Sequence, residues 1–127
     1  MWNSIFDLHQ QVKSGTIVNA KMFEHFVLTT LENRYKSDFE SEWERNFKAL
    51  SHLSMEKGIP GNRLIFHQEI KDLAYLSTYK ATGEDEVAGL VADDMDMIAL
   101  AIILEYQDPW LSKLAKAYEQ NCFPTSV

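Results

Sequence analysis

The stretch VADDMDMIAL, residues 91–100, places three aspartates inside a segment that otherwise has the composition of a buried helix. It runs into MIALAIIL, residues 97–104, the longest purely apolar run in the chain. Apolar residues at helical spacing predict a helix that packs against the core. Three explanations for the aspartates compete: helix ends, metal ligands, or a surface that binds a basic partner.

The spacing within this helix predicts which aspartates face outward. Ile98 follows Met95 by three residues and marks the buried face. Asp93 and Asp96 then point away from the core, whereas Asp94, four residues before Ile98, lies nearest its edge. At least part of DDMD is therefore expected to be exposed and to serve in binding.

Along the rest of the chain, apolar residues also recur at helical spacing, and neither Asn-Gly nor Asp-Gly hairpin signals occur. The fold class predicted is all-α: a compact bundle of about five to six short-looped helices in a single domain, 1–127. The predicted helices are 4–14, Asn19 to about Tyr35, Ser37 or Asp38 to about Lys57, Asn62 to about Lys80, 84–106, and 109–121.

Capping residues set the predicted helix ends. Ser4 begins the first helix and Gly15 ends it, Gly83 ends the fourth, and Asp108 caps the last. As an alternative, Asp93 is an N-cap that divides the fifth region into 84–92 and 93–106, with Asp94 and Asp96 in a first turn that favours anions. The periodicity also directs three further side chains toward the core: Val27, Ile65 and Leu76.

The net charge of −7 is concentrated in one quarter of the chain. Residues 81–112 carry eight acids and no Lys, Arg or His, which gives −8, while the other 95 residues hold 12 basic and 11 acidic side chains, which gives +1. This distribution argues against binding of a nucleic-acid backbone by that segment, because phosphates require Lys and Arg. The acids are Glu84, Asp85, Glu86, Asp93, Asp94, Asp96, Glu105 and Asp108.

Several classes of protein are excluded or disfavoured. An apolar run of eight residues cannot span a bilayer, and the N-terminus lacks the basic flank of a signal peptide, so we expect no membrane partner. One cysteine, Cys122, excludes an internal disulfide, and we expect a reducing cytoplasm. Glycine-rich phosphate loops and nucleophile elbows do not occur, so no cofactor and no catalytic residue is predicted.

Paired carboxylates provide one alternative chemistry. All-α nucleotide pyrophosphatases hold magnesium with carboxylates on neighbouring helices, and pairs three residues apart share a helix face. No two histidines are three to five residues apart, so no helix presents a two-histidine metal site. The sequence therefore predicts no specific metal ligand. The pairs are Glu69 with Asp72, Asp93 with Asp96, and Glu105 with Asp108, and Glu40 with Glu44 also share a face.

A second alternative chemistry rests on the stretch RNFKALSH, residues 45–52. An arginine followed by a histidine two turns later resembles the signature of HEPN-type RNases, which are all-α dimers. The resemblance implies that Arg45 binds the scissile phosphate and that His52 takes part in acid–base chemistry. The glutamates Glu42 and Glu44 crowd the arginine, and they also allow a plain surface ion pair.

The surface explanation rests on charge and on two aromatic residues. Tyr106 and Trp110 lie at one edge of the acidic segment, and aromatic side chains beside charges are typical of interface anchors. A small helical chain with one strongly acidic segment and no catalytic set resembles the helical immunity proteins of bacterial contact-dependent and polymorphic toxin systems. The resemblance covers the character of the whole chain and carries over no residue.

That resemblance implies a non-enzymatic protein that neutralises a basic partner, most readily a nuclease toxin, whose substrate is anionic. The predicted partner-binding residues are the eight acids of 81–112 together with Tyr106 and Trp110. Two other functions stay open at this point: a small RNA or nucleotide hydrolase, and an acidic adaptor or regulatory subunit.

Overall fold

Six α-helices make up the part of the chain that the structure describes, residues 2–36 and 38–125 of a computed structural model, and no strand occurs there. The all-α prediction is confirmed. The helices are α1 (Ile5–Ser14), α2 (Thr29–Lys36), α3 (Phe39–Lys57), α4 (Gly61–Thr82), α5 (Asp85–Ile103) and α6 (Pro109–Glu119), with a 3₁₀ turn over Ala20–Phe23.

The predicted caps of the first and last helices are confirmed. The Ser4 hydroxyl accepts a hydrogen bond from the backbone N–H of Asp7, and Gly15 ends α1 in the left-handed conformation, with φ of 78°. At α6, the Asp108 carboxylate accepts from the backbone N–H of Leu111 at 3.1 Å, and Pro109 occupies the first helical position. These bonds satisfy backbone groups that a helix end leaves free.

The second predicted helix, from Asn19 to about Tyr35, is wrong as a continuous element. Asn19 caps only the 3₁₀ turn, and α2 begins at Thr29. The Thr30 hydroxyl accepts a hydrogen bond from the N–H of Val27 at 3.3 Å, a local bond that competes with helical pairing. Val27, predicted to face inward, is exposed.

The ends of α3 and α4 are predicted in part. Gly58 ends α3, as expected, and Gly83 ends α4 with φ of 69°. Asp38 stands at the start of α3 but makes no side-chain capping bond, and Ser37 lies outside the described residues. Asn62 is not the cap of α4, because that helix begins one residue earlier and its N-cap is Pro60.

The alternative division of the fifth region at Asp93 is also wrong. Helix α5 runs without a break through the three aspartates, which lie near its middle and far from the N-terminal dipole. Ten of its 19 residues are buried, more than a single stripe would require. This helix is the centre of the bundle, since α4 packs along it most extensively and α1 and α3 also contact it.

Helix α4 explains why two inward-facing predictions fail. It precedes α5 as the first arm of a helical hairpin joined by Gly83 and Glu84, and its Ile70 is buried in the core. Ile65 and Leu76 are instead exposed, at 64% and 55% of their maximal surface. Apolar residues occur on both faces of α4, so periodicity alone does not select the buried one.

The structure contains no helix among its described residues that is both long enough and apolar enough to cross a membrane.

Truncation of isoleucines on the two arms of this hairpin tests the assignment of the core. Ile98→Ala, at a fully buried position, is expected to lower the free energy of unfolding by about 2–5 kcal/mol because it leaves a cavity. Ile65→Ala removes the same atoms from an exposed position and is expected to change stability by about 0.5 kcal/mol or less. Urea denaturation followed by circular dichroism measures both. Equal losses for the two variants would contradict the placement of α5 at the centre.

Candidate functional site

Most acids of the 81–112 segment meet a partner from another helix. Arg34 of α2 pairs with Asp94, Arg45 of α3 with Asp108, and Lys71 of α4 lies 3.6 Å from Asp93. The local excess of negative charge is therefore partly neutralised within the fold. Further contacts are His67 with Asp96, and the hydroxyls of Tyr35 and Tyr75 with Glu86 and Asp85.

Asp94 is the most completely engaged of these carboxylates. Both terminal nitrogens of Arg34 donate to it at 2.9 Å, one to each oxygen. The Trp43 indole N–H donates to Oδ1 at 3.0 Å, and the Tyr118 hydroxyl donates to Oδ2 at 2.6 Å. Its side chain is 0% exposed. This carboxylate therefore joins α2, α3 and α6 to α5.

The charges of this cluster are stabilised by each other. Burial acts to lower the pKa of Arg34, but the charge of Asp94 and the hydrogen bonds to it outweigh burial, and the pKa is raised. Burial, followed by the charge of Asp94, raises the pKa of the Tyr118 phenol well above its usual value. Arg34 therefore stays charged and Tyr118 stays a neutral donor at physiological pH.

Three residues predicted to bind a partner lie inside the fold. Asp94, expected only near the edge of the core, is fully enclosed, because helices cover α5 on more than one side. Asp108 is buried as the cap of α6 and the partner of Arg45. Trp110 packs edge-on against Phe39, with 5.1 Å between ring centroids. None of the three presents the free surface that a direct contact requires.

The structure separates the remaining predicted residues. Glu84, Asp85 and Glu86 lie at the start of α5, and Glu105 follows its end. A helix of 19 residues is about 28 Å long, so these acids do not form one patch. Tyr106 is half-buried, and its hydroxyl donates to the side chain of Asn46 at 3.0 Å.

Arg45 and His52 do not form a joint site. Arg45 donates to Asp108 at 2.9 Å and to Glu42 at 2.5 Å, and the hydrogen bonds to these two carboxylates raise its pKa. His52 is exposed and contacts Glu56 at 3.0 Å. The guanidinium that the RNase hypothesis assigns to a phosphate is thus bound by carboxylates.

Members of the carboxylate pairs predicted as metal ligands likewise contact other side chains. Glu69 contacts His9 at 3.2 Å, and Asp96 contacts His67 at 2.5 Å. Within residues 2–36 and 38–125, no three His, Cys, Asp or Glu side chains are grouped as a metal ion would require. The pair Asp93 and Asp96 also diverges, because Asp93 is half-exposed beside Lys71 and Asp96 is mostly covered.

A cleft of about 240 Å³ lies between α2, α3 and α5. We call it the α2–α3–α5 cleft. Its acidic members are Glu40 and Glu44 from α3 and Asp93 from α5, in addition to the paired Asp94. Its other lining residues are Arg34, Tyr35, Phe39, Trp43 and Leu90.

A protein-family model described as immunity protein PIM1 matches residues 7–125. The chain belongs to the immunity protein PIM1 family. No curated protein and no solved structure matches it. The resemblance drawn from the sequence is thereby confirmed at the level of a helical immunity protein. Membership of the PIM1 family supports a neutralising immunity function and implies, in general terms, a toxin as partner.

Sequence reasoning missed several lining residues of the cleft in this PIM1-family protein. The sequence predicts Glu40 and Glu44 only as a potential metal pair, and it assigns no binding role to Trp43. Their spacing of three and four residues places all three on one helix face, which is a readable signal of a shared surface. Arg34 carried no such signal, because its partner lies 60 residues further along the chain.

Neutralisation of Asp94 tests the buried cluster. Asp94→Asn is expected to reduce the free energy of unfolding by about 3–5 kcal/mol, because it leaves Arg34 buried without a counter-charge. The neighbouring Asp93→Asn is the matched control and should change stability by about 0.5 kcal/mol or less. Urea titrations at neutral pH, followed by tryptophan fluorescence, compare the two. Similar losses would show that the buried pair does not stabilise the fold.

A pH dependence follows from Asp108. Burial alone would raise the pKa of Asp108, but hydrogen bonds from Arg45 and from the N–H of Leu111 outweigh it, so the pKa is lowered. A carboxyl whose pKa is lower in the folded state adds stability above its unfolded pKa of about 3.9, and this stability is lost as pH falls through the folded value.

Asp108→Asn isolates that charge, because asparagine is an equally good N-cap. The wild type should exceed the variant in unfolding free energy near neutral pH, and the difference should shrink below about pH 3.9. Denaturation of both proteins across this range is the measurement. A difference that stays constant with pH would show that the charge of Asp108 is not linked to folding.

Proposed function

We propose that this protein is a non-enzymatic inhibitor that binds a basic surface of a cognate toxin of a contact-dependent or polymorphic system, and that this toxin is a nuclease. The observation that carries the proposal is the set of exposed acids without a cationic partner. In the part of the chain whose side chains are described, these include Glu40 and Glu44 on α3 and Glu105, which follows α5. Asp85 and Glu86 accept from tyrosine hydroxyls, which leaves their negative charge in place.

Charge complementarity supports a nuclease as the target. A nuclease must attract an anionic backbone, so its active surface is rich in Lys and Arg. Acidic side chains on the inhibitor speed association with such a surface and disfavour partners of the same charge. The residues proposed to contact the toxin are Glu84, Asp85, Glu86, Asp93 and, at the far end of α5, Glu105.

The absence of enzymatic activity is part of the proposal and has its own support. Arg45, the only arginine of the RNase-like stretch, has both ends of its guanidinium bound by carboxylates. His52 lies seven residues further along α3 and contacts Glu56. We also place the protein in the reducing cytoplasm, where its exposed free thiol, Cys122, is stable.

The salt dependence of association tests electrostatic recognition. The test takes as partner a toxin domain from a neighbouring gene, produced as a catalytically inactive variant, and the wild-type chain should protect cells against the active toxin. The association rate should fall by about tenfold or more between about 0.01 M and about 1 M salt, over which the Debye length shrinks from about 30 Å to about 3 Å.

Charge reversal supplies the matched comparison. Glu86→Lys, at the exposed start of α5, should slow association at low salt and reduce its dependence on salt. Glu56→Lys makes the same change of charge at the exposed end of α3 and should have little effect. Protection with an association rate that neither salt nor Glu86→Lys alters would overturn the electrostatic proposal. Absence of protection by the wild type would overturn the toxin-neutralising proposal itself.

A further inference from the structure

The α2–α3–α5 cleft has the size of a site for one side chain. Its volume of about 240 Å³ lies below the roughly 300–1,000 Å³ of pockets that hold drug-sized ligands. A nucleotide or a cofactor would therefore not be enclosed. On α5 the cleft is lined by Leu90, Asp93 and Asp94.

Aromatic walls border this cleft, and hydrogen bonds hold them in position. The Trp43 indole is oriented by its bond to Asp94 at 3.0 Å and by stacking on Phe47, with 5.3 Å between ring centroids. The Tyr35 hydroxyl donates to Glu86 at 2.9 Å. Walls fixed before binding reduce the entropy that is lost when a ligand is ordered.

The charge of the lining selects a cation. Arg34 and Asp94 neutralise each other, and Lys71 lies at 3.6 Å from Asp93. Glu40 and Glu44 then stand without a basic partner in the part of the chain whose side chains are described. The Asp93 side chain is 54% exposed, and its partial burial raises its pKa.

We propose that the α2–α3–α5 cleft binds an arginine side chain presented by the toxin. A guanidinium is planar, stacks on aromatic faces and forms paired hydrogen bonds with carboxylates, whereas an ammonium is a compact and strongly hydrated charge. Trp43 and Tyr35 provide the faces, and Glu40 and Glu44 provide the carboxylates. This inference rests on the proposed function, of which it names the recognition site.

A small cation tests the chemistry of the cleft without the toxin. N-acetylarginine methylamide, titrated into the full chain, should shift the NMR signal of the Trp43 indole N–H. The lysine analogue should produce a smaller shift at equal concentration, and the uncharged citrulline analogue should produce none. A lysine or citrulline response equal to that of arginine would overturn the assignment, as would the absence of any shift with arginine.

Substitutions on one helix test the same site in the complex. Glu44→Gln removes a lining charge with little change of shape, and the dissociation constant for the inactive toxin domain should rise by about tenfold or more. Glu56→Gln is the matched control, because it lies 12 residues along α3, about 18 Å away, and should leave binding unchanged. Circular dichroism confirms that both variants fold.

The outcomes separate the inference from the function on which it rests. Wild-type protection against the toxin combined with undiminished binding by Glu44→Gln would overturn the arginine site and leave the proposed function in place. Failure of the wild type to bind or protect would overturn both. Weakened binding by Glu44→Gln but not by Glu56→Gln, together with the arginine-selective NMR shift, would support the site.

Discussion

The bidentate ion pair between Arg34 and Asp94 is the contact on which the arrangement of the helices depends. Both side chains are buried, so each charge would be strongly unfavourable without the other. The Trp43 indole and the Tyr118 hydroxyl complete the bonding of the carboxylate, and the Arg34 guanidinium also lies 4.1 Å from the centre of the Phe39 ring. One carboxylate in the middle of α5 therefore determines where α2, α3 and α6 lie.

The same interaction connects the stability of the fold to the proposed binding cleft. Asp94 orients Trp43, which forms a wall of the α2–α3–α5 cleft, and Asp94 itself is hidden from any partner. The acids that remain exposed beside it include Asp93 on α5 and Glu44 across the cleft on α3. The neutralised Arg34–Asp94 pair thus lies beneath an outer layer that carries acidic side chains.

Local interactions explain which helix ends could be predicted from the sequence. Ser4, Gly15, Gly83 and Asp108 act within four residues of their own positions, and the structure places all four at the predicted helix ends. The predicted division at Asp93 fails because distant contacts prevail over the local pattern. Helix α5 continues through Asp93 because buried residues on both sides of that position pack into the core, so no new helix begins there.

By itself, the sequence determined the fold class, most helix ends and the concentration of negative charge, because each depends on composition or on spacing of a few residues. Only the tertiary structure decided which acids remain at the surface. Asp93 and Asp94 are adjacent in sequence, yet one is half-exposed and the other is enclosed. The difference depends on Arg34, 60 residues away, whose position is set by the packing of whole helices and not by any local pattern.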